Sequence, residues 1–115
     1  MYSEALDSQV IATAILDTGS ADNWISYEKV EEGRFETRPV DDESDTYRGF
    51  NGTDFRPTLR MDISWEGVKA RKHRETPFYV APEGSRFDVI FGKKFIKEER
   101  IVLDNPNTHV FSRRY

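Results

Sequence analysis

The stretch Val10-Ile11-Ala12-Thr13-Ala14-Ile15-Leu16 holds one polar residue, Thr13, and runs directly into Asp17-Thr18-Gly19-Ser20. Apolar and β-branched residues without polar alternation predict a strand buried on both faces. A carboxylate at the end of such a strand must be hydrogen-bonded or paired, because an unpaired charge in apolar surroundings is costly. Gly19 lets backbone N–H groups approach Asp17, while Thr18 and Ser20 bring hydroxyl groups to the same loop. An isolated Asp-Thr-Gly is most simply a turn cap. The apolar strand before it makes Asp17 an outlier that a simple cap does not fully account for.

The rest of the chain is cut into short pieces by turn residues. Asp41-Asp42-Glu43-Ser44-Asp45 reads as an acidic surface loop, and Asn51-Gly52 as a tight turn in which both residues tolerate positive φ. Residues 60–65 alternate cleanly, with Met61, Ile63 and Trp65 facing one way and Arg60, Asp62 and Ser64 the other. Phe78-Tyr79-Val80 is a further strand, broken by Pro82-Glu83-Gly84. Phe87-Asp88-Val89-Ile90-Phe91 is apolar apart from Asp88 and stops at Gly92. Residues 93–100 predict a short helix with Phe95 and Ile96 inward, followed by strands at 101–103 and 108–111 around the turn 104–107. The polar segment 28–36 gives no clear assignment. Many short strands and one short C-terminal helix predict an all-β fold, a closed β barrel.

Composition narrows the function classes. At 115 residues the chain fits a single domain, 1–115, with its core at about 10–103 and its ends, 1–9 and 104–115, available as interface strands. There is no cysteine, hence no thiol nucleophile, disulfide or thiolate metal site. Two histidines, His73 and His109, argue against a zinc centre. Seventeen Lys+Arg against 21 Asp+Glu give a net charge of -4, which offers nothing to nucleic acid. The basic run at residues 69–74 is short and reads as a solvated hairpin flank. No apolar run approaches about 18 residues, so no membrane partner is expected. Residues 1–7 show no basic segment leading into an apolar one, which predicts an intracellular, cytoplasmic protein.

Two segments together resemble a family. Ala14-Ile15-Leu16-Asp17-Thr18-Gly19-Ser20 and Asp88-Val89-Ile90-Phe91-Gly92-Lys93-Lys94-Phe95-Ile96 stand in the order and spacing of retropepsin-like aspartic protease domains. The resemblance covers residues 10–102. Domains of this kind include proteases of gypsy-type retroelements, domesticated copies in fungal genomes, and the DNA-damage-inducible ubiquitin-shuttle proteases. It implies a single-lobe acid-protease barrel in which Asp88, Ile90, Phe91 and Gly92 form the structural psi-loop packed against the Asp17 loop. Asp88 is then either an ion-pair partner of Arg86 or Arg100 or a surface aspartate.

The same resemblance implies the chemistry. Aspartic proteolysis uses two carboxylates that share one proton. This chain has one Asp-Thr-Gly, so a C2 homodimer must bring Asp17 to its symmetry mate. Asp17, Thr18 and Gly19 form the catalytic set, with each Thr18 hydroxyl bracing the partner's loop. Ser20, Phe50, Gly52 and Phe55 are the candidate substrate-binding residues for an extended peptide or polyprotein. The segment 49–52 would precede a flap hairpin whose tip falls between Thr53 and Leu59. Residues 6–11 and 108–111 are candidate strands tying the dimer together. The hydrolase needs no metal or organic cofactor. Two other readings stand beside the protease: a non-catalytic dimerisation or peptide-binding module, and an unrelated small β barrel.

Overall fold

The computed structural model describes residues 1–40, 47–48, 54–66, 72–99, 101–103 and 111–113. In chain order these form β1 (Tyr2–Ser3), β2 (Ser8–Gln9), β3 (Ala14–Asp17), β4 (Trp24–Ile25), α1 (Tyr27–Gly33), β5 (Arg38–Pro39), β6 (Tyr47–Arg48) and β7 (Asp54–Phe55). There follow β8 (Leu59–Glu66), β9 (Lys72–Val80), β10 (Val89–Gly92), α2 (Lys93–Glu98), β11 (Ile101–Leu103) and β12 (Phe111–Arg113).

Six strands make one sheet in the order β3-β10-β4-β9-β8-β5. Its ends do not meet. Among the described residues β3 and β5 are open edges, and β5 is two residues long and ends in Pro39, which has no N–H to extend a ladder. The closed all-β barrel expected from the sequence is therefore wrong. The domain is mixed α/β, with an open sheet and two helices, and a retropepsin-like aspartyl-protease barrel does not describe it.

The helix missed by the sequence reading is α1. Ser26 is its N-cap, in extended conformation, and its hydroxyl accepts the Lys29 N–H at 3.1 Å. Arg34 ends it with φ 51, and its N–H points back to the Glu31 and Val30 carbonyls. The apolar signal was weak because Val30 is the one large apolar residue the helix buries. α2, in contrast, starts at Lys93 and buries Phe95 and Ile96.

Period-two alternation sends neighbouring residues to opposite faces of the sheet. Leu16, Ile25, Phe78 and Phe91 enter the larger core, which also takes Met61, Ile63 and Trp65 from β8, Val30 from α1, and Phe95 and Ile96 from α2. Their neighbours Ile15, Trp24, Tyr79 and Ile90 form a second cluster on the other face, with Tyr47 and Phe55 packed on it. Both helices thus cover one face, and the β6–β7 hairpin covers part of the other. Inside the larger core, Phe91 stacks on Phe95 at 4.4 Å and meets Trp65 at 5.0 Å.

The flap hairpin expected after residues 49–52, with its tip between Thr53 and Leu59, is not what the described residues form. β6 pairs antiparallel with β7, Tyr47 opposite Phe55, so the hairpin arms bracket residues 49–53 rather than following them. Phe50, Gly52, the acidic run 41–45, Arg100, the turn 104–107 and His109 lie outside the described residues. At the N-terminus, β1 and β2 pair with each other, and the Met1 amine donates to the Val10 carbonyl at 2.9 Å. β11 and β12 likewise pair with each other.

Candidate functional site

β3 and β4 are consecutive in the chain but not adjacent in the sheet. β10 lies between them, parallel to β3 and antiparallel to β4. The loop 18–23 must therefore arch over the end of β10. That arch carries the Asp17-Thr18-Gly19-Ser20 sequence, and the residue beneath it is Gly92, which pairs with Asp17 in register. A methyl group on Gly92 would lie 2.4 Å from the Asp22 carbonyl oxygen and 2.7 Å from that of Ser20. Only glycine fits there, because both obstacles are backbone.

Asp17 is exposed at the end of β3. Its Oδ1 accepts the Gly19 N–H at 2.8 Å, and its carbonyl accepts the Ser20 N–H at 3.1 Å. Thr18 and Gly19 are also exposed. Ser20 points back into the loop: its hydroxyl donates to the Asp22 carbonyl at 2.8 Å, and its own carbonyl accepts the Lys93 N–H at 2.6 Å. Ser20 therefore braces the loop internally and joins it to the start of α2.

Asn23 is a residue the sequence reading did not single out. Its Oδ1 accepts the Gly92 N–H at 2.8 Å, its Nδ2 donates to the Pro77 carbonyl at 3.2 Å, and its carbonyl accepts the Tyr79 N–H at 3.0 Å. One side chain thus ties the loop to β10 and β9 together. Asp22 beside it accepts the Tyr47 hydroxyl at 2.6 Å. The only sequence signal for either was position, at the end of the Asp-Thr-Gly-Ser loop and before an aromatic strand.

The remaining psi-loop residues are placed as follows. Ile90 and Phe91 are buried, one in each cluster. Asp88 is half-buried, and its carboxylate accepts the Thr13 N–H at 2.9 Å while its carbonyl accepts the Ser26 N–H at 2.8 Å. Its described partners are therefore backbone groups at the two ends of the crossover. Phe55 packs edge-on against Trp24, ring centres 5.7 Å apart, so it lines the Asp17 face of the sheet through the second cluster.

A groove of about 410 Å³ opens at the far end of the same loop, between Asn23, Pro77 and Tyr79 on one side and Lys94 and Glu98 on the other. Asp17 does not line it. Among the described residues no three His, Asp or Glu side chains converge in a way that would hold a metal ion, and no helix is long and apolar enough to cross a membrane. No protein-family model and no curated protein matches this chain.

Proposed function

We propose that the chain is an endopeptidase that hydrolyses peptide bonds with two Asp17 carboxylates paired across the axis of a homodimer. One observation carries the reading: an exposed aspartate stands at the end of a sheet strand, on a loop held to β10 by the Asn23 side chain, to β9 by the Asn23 side chain and carbonyl, and to α2 by the Ser20 carbonyl. A group that must sit within hydrogen-bond reach of its symmetry mate needs such fixing. The order of the two motifs, Asp17-Thr18-Gly19-Ser20 and then 88–92, supports it as well.

The chemistry follows from a shared proton. Two carboxylates held close together cannot both ionise easily, so one keeps a proton while the other is charged. The charged Asp17 takes a proton from water as the oxygen adds to the peptide carbonyl carbon. The protonated mate donates its proton to the carbonyl oxygen. The tetrahedral adduct then collapses: the C–N bond breaks, the leaving nitrogen receives the proton taken from water, and one hydroxyl of the adduct returns its proton to the mate as the product's C=O forms. The pair returns to one proton in total. Gly19 N–H holds the Asp17 Oδ1, the Thr18 hydroxyl reaches the partner's loop, and Phe55 flanks an extended peptide. No cofactor enters the scheme.

A second reading is a non-catalytic dimerisation or peptide-binding module. It is favoured by the Gly19 N–H to Asp17 Oδ1 bond, which an ordinary turn-capping aspartate also makes. A cleavage assay on a mixed peptide library between about pH 4 and 7 separates the two. Cleavage by the native chain, abolished in Asp17→Asn and blocked by a statin-type transition-state mimic, is the expected result. Equal signal from both proteins would remove the hydrolytic reading.

A further inference from the structure

Among the described residues the β6–β7 hairpin joins no larger sheet, and its two strands of two residues pair with each other. A hairpin of that length is marginal by itself and depends on what it packs against. Here the packing is by side chains. Tyr47 meets Trp24 edge-on at 4.9 Å and Tyr79 at 6.3 Å, and Phe55 meets Trp24 at 5.7 Å. Across this aromatic layer the Tyr47 hydroxyl donates to Asp22 Oδ2 at 2.6 Å. Asp22 belongs to the loop that begins at Asp17, and its carbonyl accepts the Ser20 hydroxyl of that loop.

We propose that the Tyr47–Asp22 hydrogen bond is a detachable strap that couples the position of the β6–β7 hairpin to that of the loop carrying Asp17. The aromatic contacts are non-directional and tolerate sliding. The hydroxyl–carboxylate bond is directional and charge-assisted, so it sets one position of the hairpin over the loop. Through the Asp22 backbone and the Ser20 hydroxyl, a change at the hairpin reaches Gly19 and Asp17 within five residues. Because coupling between two sites is reciprocal, a ligand that fixes the Asp17 loop also fixes the hairpin. The strap stands independently of peptide hydrolysis, and its test needs no cleavage.

The test is amide hydrogen exchange on the full chain, comparing native protein with Tyr47→Phe, Asp22→Ala and the double variant. Tyr47→Phe keeps the ring and removes only the donor. Each single variant is expected to speed exchange of the β6 and β7 amides and of Gly19 and Ser20 together, by roughly tenfold for loss of one charge-assisted bond. Exchange at Met61, Ile63 and Ile90 in the large sheet stays within about twofold. The double variant matches the singles, because both remove the same bond. Unchanged hairpin exchange in both singles would overturn the proposal. So would additive effects in the double, faster hairpin exchange with an unmoved Gly19 and Ser20, or a uniform rise that includes the large sheet.

Discussion

Gly92 stands directly across the parallel β3–β10 ladder from Asp17, and its missing side chain is what lets the loop after Asp17 pass over the end of β10. The candidate catalytic residue and the glycine some seventy-five positions later are thus one structural unit.

Gly92→Ala puts a methyl group against two backbone carbonyls, neither of which can swing aside. Overpacking of this kind costs about 1–3 kcal/mol. Gly84 makes a useful contrast. Its φ of +89 strains any replacement, yet nothing lies within 4 Å of an added Cβ. Gly84→Ala is expected to cost about 1 kcal/mol. Urea unfolding of the two variants should rank Gly92→Ala as the more damaging.

Asn23 offers a separation of its two bonds. Asn23→Ala removes both the acceptor for Gly92 N–H and the donor to the Pro77 carbonyl, whereas Asn23→Asp keeps the acceptor. At roughly 1 kcal/mol per bond, the alanine variant should lose about twice the stability of the aspartate variant. Thermal or urea denaturation reads this. A loss in the aspartate variant equal to that of alanine would overturn the ranking, through a weak Gly92 bond or through repulsion between the new carboxylate oxygen and the Pro77 carbonyl.

If two chains share one active site, activity depends on the composition of the dimer. Replacing half of the native chain by Asp17→Asn at constant total concentration, with subunit exchange allowed, should leave about one quarter of the starting activity, since only that fraction of dimers carries both carboxylates. Retention of about one half would show that each chain works alone.

Tyr2 donates its hydroxyl hydrogen to Asp7 Oδ1 at 2.5 Å, and this bond, with a smaller contribution from burial and then the Asp7 and Glu4 charges, raises its pKa above the usual 10.0. A raised phenol favours the protonated form in the folded state. Its stabilisation is complete below the unfolded value and is lost as pH rises through the folded one. An NMR titration of assigned tyrosines should show Tyr2 titrating late, and Asp7→Asn should bring it back toward the ordinary value. Tyr27, raised first by the Glu31 charge, should remain where it is in that variant.

Ser26 caps α1 from a buried position, with 1% exposure, so its replacement by alanine should cost about 1 kcal/mol or somewhat more. Asp62→Asn breaks the 2.6 Å ion pair with Arg38, but Arg38 is half-exposed at the sheet edge, and such pairs contribute less than about 1 kcal/mol. Comparing the two unfolding midpoints checks whether the cap outweighs the ion pair.

Local pattern was legible wherever one face of an element is buried. The alternation at 60–65 gave Met61, Ile63 and Trp65 to the core, and the spacing at 93–98 gave Phe95 and Ile96. The same reading failed at α1, where a polar helix buries little and is announced mainly by its Ser26 cap. It also failed at the hairpin, because a two-residue strand is too short to show a period. The acceptors on Asn23 and Asp22 were invisible for a different reason: their partners, Gly92, Pro77 and Tyr47, lie 69, 54 and 25 residues away.

The sequence by itself determined that Val89-Ile90-Phe91 would be a buried strand and that the chain offers one Asp-Thr-Gly with no thiol beside it. Those are properties of local composition and of period two, which hold whatever the strands pair with. The strand expected over 10–16, buried on both faces, is instead Ala14–Asp17, with Leu16 buried, Ala14 and Ile15 half-buried and Ile11 exposed. Only the tertiary structure decided that β10 slips between β3 and β4, that the sheet stays open at β3 and β5, and that two helices share one face. Strand order and sheet closure depend on hydrogen bonds and packing between residues far apart in the chain, and no local run of residues encodes which distant edge it will meet.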